Sequence, residues 1–196
     1  MTTDSRTEPA AAEIPYREVR MIRRNLDDIP QFGWPDGFSS RRFADGDMDV
    51  WASIISTDKH LEADRALFVR EFGEDIRRIA ERMFFVVSPD GKVVGTSTAW
   101  EDRDDHGVTV GRLHWVFLLP EYHGRGLAKP LLTETLNLIG RLGHPRCYLV
   151  TQLTRLPAIN LYLKFGFVPE IRTAEDKDNW KLLSPHISHP AIRDLG

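Results

Sequence analysis

The chain has 196 residues, which fits one domain with or without extensions, and 41% of them are hydrophobic and 28% charged, as in an ordinary globular protein. A net charge of −3 gives no overall attraction to nucleic acid or to an anionic membrane. The single cysteine, Cys147, cannot form an internal disulfide, and no apolar run approaches the ~20 residues that span a bilayer. The N-terminus also lacks the apolar segment of a signal peptide. We therefore interpret the chain as a cytoplasmic protein with neither a nucleic-acid nor a membrane partner.

The first 36 residues show no regular pattern and lead into a loop rich in Pro and Gly. We predict that residues 1–36 form an N-terminal extension lying on the core. Their arginines are compatible with a nucleic-acid arm, but the acidic residues between them favour a solvated surface. The predicted core domain covers residues 37–170. Residues 171–196 are predicted to be a C-terminal tail packed on that core, in which residues 179–183 fit either a short strand or a helix.

The first half of the core domain combines strand and helix patterns. Asp45 or Asp47 can cap a first amphipathic helix, and a second helical stretch over residues 60–82 has a break at Gly73. The acidic residues 101–107 have the composition of a loop. The predicted strands of this half cover residues 38–43, 84–87 and 93–100.

The second half predicts a strand over residues 112–119, a helix over 127–142 and a strand over 147–151. A crossover helix normally joins two parallel strands, so an α/β fold is expected. Thr154 can cap a further short helix, which ends at Gly166.

A pair of glycines, Gly124 and Gly126, stands between the buried strand and the helix. Glycines let backbone N–H groups approach a ligand closely, and the start of a helix adds unpaired donors, so the loop fits a pyrophosphate. Arg125 and Lys129 add positive charge. A tight turn without a ligand is the alternative. The third glycine of a dinucleotide fingerprint is replaced by Lys129, and no Gly-Lys-Ser/Thr run of a P-loop is present.

Two stretches together resemble the GNAT superfamily of acyl-CoA-dependent N-acyltransferases. Residues 113–128, LHWVFLLPEYHGRGLA, resemble its coenzyme-A motif, and residues 158–167, AINLYLKFGF, resemble the family's helix that carries a tyrosine and closes with Gly-Phe. The resemblance implies a mixed central sheet of about six or seven strands, flanked by helices, with a splayed parallel strand pair. It also implies acetyl-CoA as the acyl donor, an amine as the acceptor and no metal.

The resemblance assigns the coenzyme contacts to one loop and its surroundings. His123 and Arg155 depart from the family pattern, in which Gln or Arg and then Asn are usual, and Phe117 and Leu118 are expected to offer main-chain groups to the pantetheine arm. The residues implied to bind the coenzyme are Phe117, Leu118, His123, Gly124, Arg125, Gly126, Leu127, Ala128, Lys129 and Arg155.

Tyr162 and His114 are the catalytic candidates that the resemblance implies. Tyr162 matches the tyrosine that protonates the leaving thiolate, with a buried core aromatic as the alternative. His114 matches a histidine that relays the amine's proton, with a structural histidine as the alternative. Because His114 stands four residues before Leu118 on the same strand, the two side chains are expected to point to the same face of the sheet. Glu101 or a chain of waters are other candidates for the base.

The function expected from these residues is acetyl transfer from acetyl-CoA to a primary amine of a small molecule or peptide by direct attack. A catalytically silent acyl-CoA-binding sensor or interaction module fits the glycine loop equally well, and Tyr162 favours the enzyme. A macromolecular acceptor is a third interpretation. A homodimer is compatible with the sequence.

Overall fold

A mixed sheet of seven strands organises the chain, whose residues 14–195 are described by a computed structural model. The strands follow one another in space in the order β2-β3-β4-β5-β6-β1-β7. All neighbours are antiparallel except β5 and β6, which are parallel. The expected α/β architecture is therefore confirmed. The strands are β1 (Glu18–Arg23), β2 (Ser39–Arg42), β3 (Met83–Val87), β4 (Val93–Arg103), β5 (Thr109–Leu118), β6 (Cys147–Gln152) and β7 (Val168–Pro169).

Helices cover both faces of this sheet. On one face, the Thr135 hydroxyl of α4 donates to Ser97 of β4 at 3.0 Å, and on the other, Glu71 of α2 contacts His114 of β5. Adjacent residues of a strand point to opposite faces of the sheet. Ser97 therefore lies on the face covered by α4, and Thr98, which pairs with His114, lies on the face covered by α2. The helices are α1 (Asp47–Ile55), α2 (Arg65–Phe72), α3 (Ile76–Arg82), α4 (Ala128–Arg141), α5 (Leu156–Lys164), α6 (Ala174–Lys181) and α7 (Pro190–Arg193).

Helix boundaries agree with the sequence signals at Gly73, which ends α2, and differ at two predicted caps. Gly46, and neither Asp45 nor Asp47, is the N-cap of α1. The Asp47 carboxylate instead accepts the Ala44 N–H at 2.7 Å and pairs with Arg41 of β2. Arg155, not Thr154, is the N-cap of α5, and it makes no capping hydrogen bond with its side chain. The prediction that Thr154 caps this helix is therefore wrong.

The N-terminal segment contributes a strand to the sheet. β1 pairs along its whole length with β6, from Glu18 opposite Gln152 to Arg23 opposite Cys147, and pairs with β7 on its other side. The prediction that residues 1–36 are an extension lying on the core is therefore wrong for these residues, which belong to the central sheet. The first thirteen residues of that segment lie outside the described part of the chain.

The tail is helical where the sequence left two possibilities. Thr173 and Asp176 form a reciprocal capping box that starts α6, and Trp180 on this helix is fully buried. Leu183, Ile187 and Ile192 extend the same core cluster. The acidic stretch predicted as a loop is in part strand, since β4 continues to Arg103.

Candidate active site

A gap opens between the two parallel strands at the centre of the sheet. β5 pairs with β6 only at Gly111, opposite Cys147, and at Arg112, opposite Tyr148. The remaining residues of β5, from Leu113 to Leu118, have no partner on β6 among the described residues. The strand pair is therefore splayed, as the family resemblance implied.

A β-bulge lies where the two strands part. Thr98 of β4 is opposite His114, but Thr96 is opposite Phe117, so β5 carries one residue more than β4 between these pairs. Trp115 within the bulge has φ +49°, a rare value for a bulky residue. The extra residue inverts the alternation of side chains along β5. His114 therefore shares a face with Phe117, and the prediction that it shares one with Leu118 is wrong.

The main chain of Leu118 points into the gap. The Leu119 N–H donates to the Val94 carbonyl of β4 at 2.9 Å, and the polar groups of an antiparallel strand alternate in direction. Leu119 and Phe117 thus face β4, whereas the N–H and C=O of Leu118 face the open side. The main-chain N–H and C=O of Phe117 pair with Thr96 of β4. They are therefore not free to contact pantetheine, contrary to the expectation for this residue.

The glycine loop follows directly after the strand, across a short 3₁₀ turn at Pro120–Tyr122. Gly124 and Gly126 have φ of +75° and +80°, a conformation that glycine adopts at little cost. Among the described residues, no protein acceptor is hydrogen-bonded to the six N–H groups of residues 124–129. Pro130 has no N–H to add. The loop therefore presents a row of free donors at the start of α4, suited to an anion.

Two cations flank these donors without a carboxylate partner in the described part of the chain. The Arg125 guanidinium lies 4.8 Å from the centre of the Tyr122 ring, and the Lys129 ammonium lies 5.0 Å from that of Phe32. Pro35 lies beside Gly126, so the connection from β1 to β2 forms a wall of the loop. Sequence reasoning missed Phe32 and Pro35, because they are remote in the chain and carry no motif.

His123, the first departure from the family pattern, covers the carbonyl that faces the gap. Its Nε2 lies 2.9 Å from the Leu118 oxygen, and because a carbonyl can only accept, Nε2 carries the proton. The second departure, Arg155, donates to Asp58 at 2.6 Å. Asp58 follows α1 and Arg155 precedes α5, so this ion pair connects the two helices. Arg155 is therefore engaged within the protein.

Tyr162 lies on α5 with its side chain in the core. It is 7% exposed, and its ring packs against Phe167 at 6.0 Å in a T-shaped arrangement. Burial raises the pKa of Tyr162 to about 12, against a smaller opposing effect of Arg155. The hydroxyl therefore keeps its proton at neutral pH, as a general acid requires, and the packing also fits the alternative of a core aromatic.

His114 is buried and hydrogen-bonded to a residue that the sequence did not single out. Its Nε2 lies 3.2 Å from Oε2 of Glu71, and the indole N–H of Trp115 reaches the same oxygen at 3.2 Å. Burial lowers the pKa of His114 to about 4, and the hydrogen bond from His114 is the largest cause that holds the pKa of Glu71 at about 2. At neutral pH the pair is thus a neutral imidazole and a carboxylate.

This pair predicts a loss of stability in mild acid. The unfolded chain binds a proton at His114 from about pH 6.5 downward, whereas the folded chain binds it only near pH 4. The unfolded state therefore gains protons over this interval, and the free energy of unfolding falls as the pH falls. We expect the wild type to lose on the order of 2–3 kcal/mol more than His114→Asn between pH 7 and pH 4.5, measured by urea unfolding. Equal losses would contradict the prediction.

Glu101, the other candidate base, belongs to a separate cluster. Its carboxylate lies 2.7 Å from Arg78, 3.1 Å from Arg82 and 3.3 Å from His144. It is opposite Gly111 in the sheet, before the gap opens. The Glu101 carboxylate is neutralised by two arginines and lies where β5 and β6 are still paired. It is therefore not placed to take a proton from a group in the gap.

A cleft of ≈ 620 Å³ lies between α1 and the end of β5. It borders Leu119, directly after the residue whose main chain faces the gap. Its walls combine apolar and polar groups: Asp49, Val50, Ser53, Ile54, Thr57, Lys92, Val93, Leu119 and Glu121.

Within residues 14–195, no helix is both long and apolar enough to cross a membrane.

Comparison with known proteins agrees with this geometry. Mycothiol acetyltransferases of Pseudarthrobacter chlorophenolicus and Streptomyces coelicolor are each 28% identical over 163 and 165 residues, covering 78% of this chain and 50% of theirs. The chain thus spans about half the length of these curated relatives. A GCN5-related N-acetyltransferase from Sphaerobacter thermophilus superposes with a TM-score of 0.58 at 25% identity, covering 79% of this chain and 50% of that one.

A glucosamine-6-phosphate N-acetyltransferase from Arabidopsis thaliana shares the fold, with a TM-score of 0.51 at 16% identity over 66% of this chain and 90% of its own. The model of the acetyltransferase (GNAT) family matches residues 48–167, which include α1 from its second residue, the bulged strand, the glycine loop and Tyr162. The chain belongs to the GNAT family of acetyltransferases.

Proposed function

We propose that this protein transfers an acetyl group from acetyl-CoA to a primary amine of a small molecule or peptide by direct attack. The observation that carries the proposal is the main chain of Leu118, which faces the gap between β5 and β6 at the end of the strand that leads into the glycine loop. Pantetheine carries amide groups, and a strand edge whose N–H is free and whose C=O is covered by the His123 side chain can pair with them once His123 moves away.

The free donors of residues 124–129 would hold the pyrophosphate of the same molecule, with Arg125 and Lys129 adding charge. His123 would have to leave the Leu118 carbonyl before a pantetheine amide could donate to it. A main-chain N–H in the gap would stabilise the thioester oxygen as it gains charge, and Tyr162 would protonate the departing thiolate. Arg155 would stabilise the site indirectly, through its bond to Asp58.

The names of the relatives support acetyl transfer. The relatives are mycothiol acetyltransferases, and this chain spans about half of their length. Their acceptor is therefore not assigned to this protein. The cleft beneath α1 is the proposed entry of the acceptor, since it reaches Leu119. The catalytically silent sensor remains the second candidate, favoured by the deep packing of Tyr162.

A screen of thiol release from acetyl-CoA over amines, amino acids and peptides tests the proposal. We expect at least one class of amine to raise thiol release well above the rate of acetyl-CoA hydrolysis. Binding of acetyl-CoA measured by calorimetry, together with no turnover of any amine, would support the sensor. Absence of both binding and turnover would reject both functions.

A further inference from the structure

The Glu71 carboxylate lies at the point where the two parallel strands part. It projects from the last turn of α2 onto His114 and onto Trp115 in the adjoining bulge, shortly after the last β5–β6 pair at Arg112. The carboxylate is therefore at the closed end of the gap, on the face that α1 and α2 cover. The hydrogen bonds from His114 and Trp115 fix it there.

The two oxygens of Glu71 differ in their surroundings. Oε2 accepts both hydrogen bonds, from the imidazole and the indole, at 3.2 Å each. Oε1 has one ionic neighbour among the described residues, the Arg70 guanidinium at 3.7 Å, which is beyond hydrogen-bonding distance and belongs to a side chain that is 72% exposed. The Glu71 side chain itself is 23% exposed. Oε1 thus belongs to a fixed carboxylate and accepts no hydrogen bond from the described residues.

A half-buried carboxylate is costly unless donors compensate its charge. Two neutral donors fix Oε2, and the Arg112 guanidinium adds a smaller electrostatic stabilisation, whereas Oε1 accepts no hydrogen bond from the described residues. A protonated primary amine supplies both a positive charge and three N–H donors. A neutral alcohol of the same shape would lack the ionic attraction to the carboxylate.

We propose that Glu71 binds the ammonium group of the acceptor through Oε1 and so holds it at the closed end of the gap. His114 and Trp115 are then positioning residues that orient the carboxylate. The acceptor class is an amine that is protonated in solution. This inference rests on the proposed function of the same site.

The test compares amines with alcohols of equal size. Binding is followed by tryptophan fluorescence, to which Trp115 beside Glu71 contributes together with four other tryptophans, and the comparison with Glu71→Gln assigns the signal to the carboxylate. The full chain is titrated, with and without CoA, with butylamine and 1-butanol and with 2-phenylethylamine and 2-phenylethanol. We expect the wild type to bind at least one amine at least tenfold more tightly than its alcohol, and Glu71→Gln to reduce this ratio to about one. Glu74→Gln removes an exposed charge three residues away and should leave the ratio unchanged.

Glu71→Asp keeps the charge and should keep a preference for the amine, which provides the comparison if Glu71→Gln does not fold. Binding of neither amine by the wild type, equal binding of amine and alcohol, or an unchanged ratio in Glu71→Gln would overturn the proposal. Acetyl-CoA binding is measured on the same samples by calorimetry. Its absence would reject the proposed function, whereas the amine-to-alcohol ratio reports on Glu71 alone.

Discussion

Replacing Gly126 by aspartate should abolish acetyl-CoA binding while the protein stays folded. Gly126 has φ +80° within the row of free N–H groups, so any side chain there would stand close to the proposed pyrophosphate site, and a carboxylate would also repel the phosphates. The nearest neighbour of an added Cβ would be Pro35 at 3.9 Å, an ordinary contact. We expect calorimetry to show affinity weakened by at least ~10²-fold, since several charge-assisted hydrogen bonds are lost.

The strain of a side chain at positive φ, about 1–2 kcal/mol, needs its own control. Gly107→Asp introduces the same residue at φ +73° in the β4–β5 connection, where an added Cβ meets no described atom within 4 Å. Both variants should melt at similar temperatures, and only Gly126→Asp should lose the ligand. Unchanged affinity in Gly126→Asp would place the coenzyme elsewhere.

Replacing Tyr162 by phenylalanine should lower kcat on the order of 10²-fold, the lower end of the range for general acid catalysis. With its pKa raised to about 12 by burial, the phenol is fully protonated under assay conditions and can donate to the departing thiolate. The ring still packs against Phe167, so acetyl-CoA affinity should change little. The measurement is steady-state kinetics with whichever amine the screen identifies.

Tyr148→Phe is the matched control for this variant. Burial also raises the pKa of Tyr148 to about 12, and its hydroxyl donates to Asp102 at 2.8 Å, where β5 and β6 are still paired. We expect it to cost stability and to leave kcat near the wild-type value. If Tyr162→Phe were equally active, the tyrosine would be a core residue, and the leaving thiolate would obtain its proton elsewhere.

Local signals predicted the elements that surround the site. The apolar run before Pro120, the glycine pair and the helical spacing after it are all contained within residues 112–142, and the structure has them as β5, the glycine turn and α4. The break at Gly73 was predictable for the same reason, since glycine acts on its immediate neighbours. The splayed pair came from the family resemblance, because no local signal marks where two strands part.

The rest depends on contacts between distant parts of the chain. The Arg17–Arg24 stretch shows no clear strand pattern, and β1 forms because β6 and β7 provide partners on both sides. Nothing next to Trp115 marks its positive φ, so the bulge and the inverted face of Leu118 could not be foreseen. Glu71 is one acidic residue among many until α2 brings it onto the bulge.

The position of β1 also bears on how the chain folds during synthesis. Its partners are Cys147–Gln152 and Val168–Pro169, so β1 is synthesised long before either strand that pairs with it. Pairing between such distant segments carries a large loop-closure cost and slows folding. Until β6 emerges, the apolar side chains of Val19, Met21 and Ile22 have no sheet to join. We therefore expect this sheet in the nascent chain to acquire protease resistance only after β6 and β7 have left the ribosome.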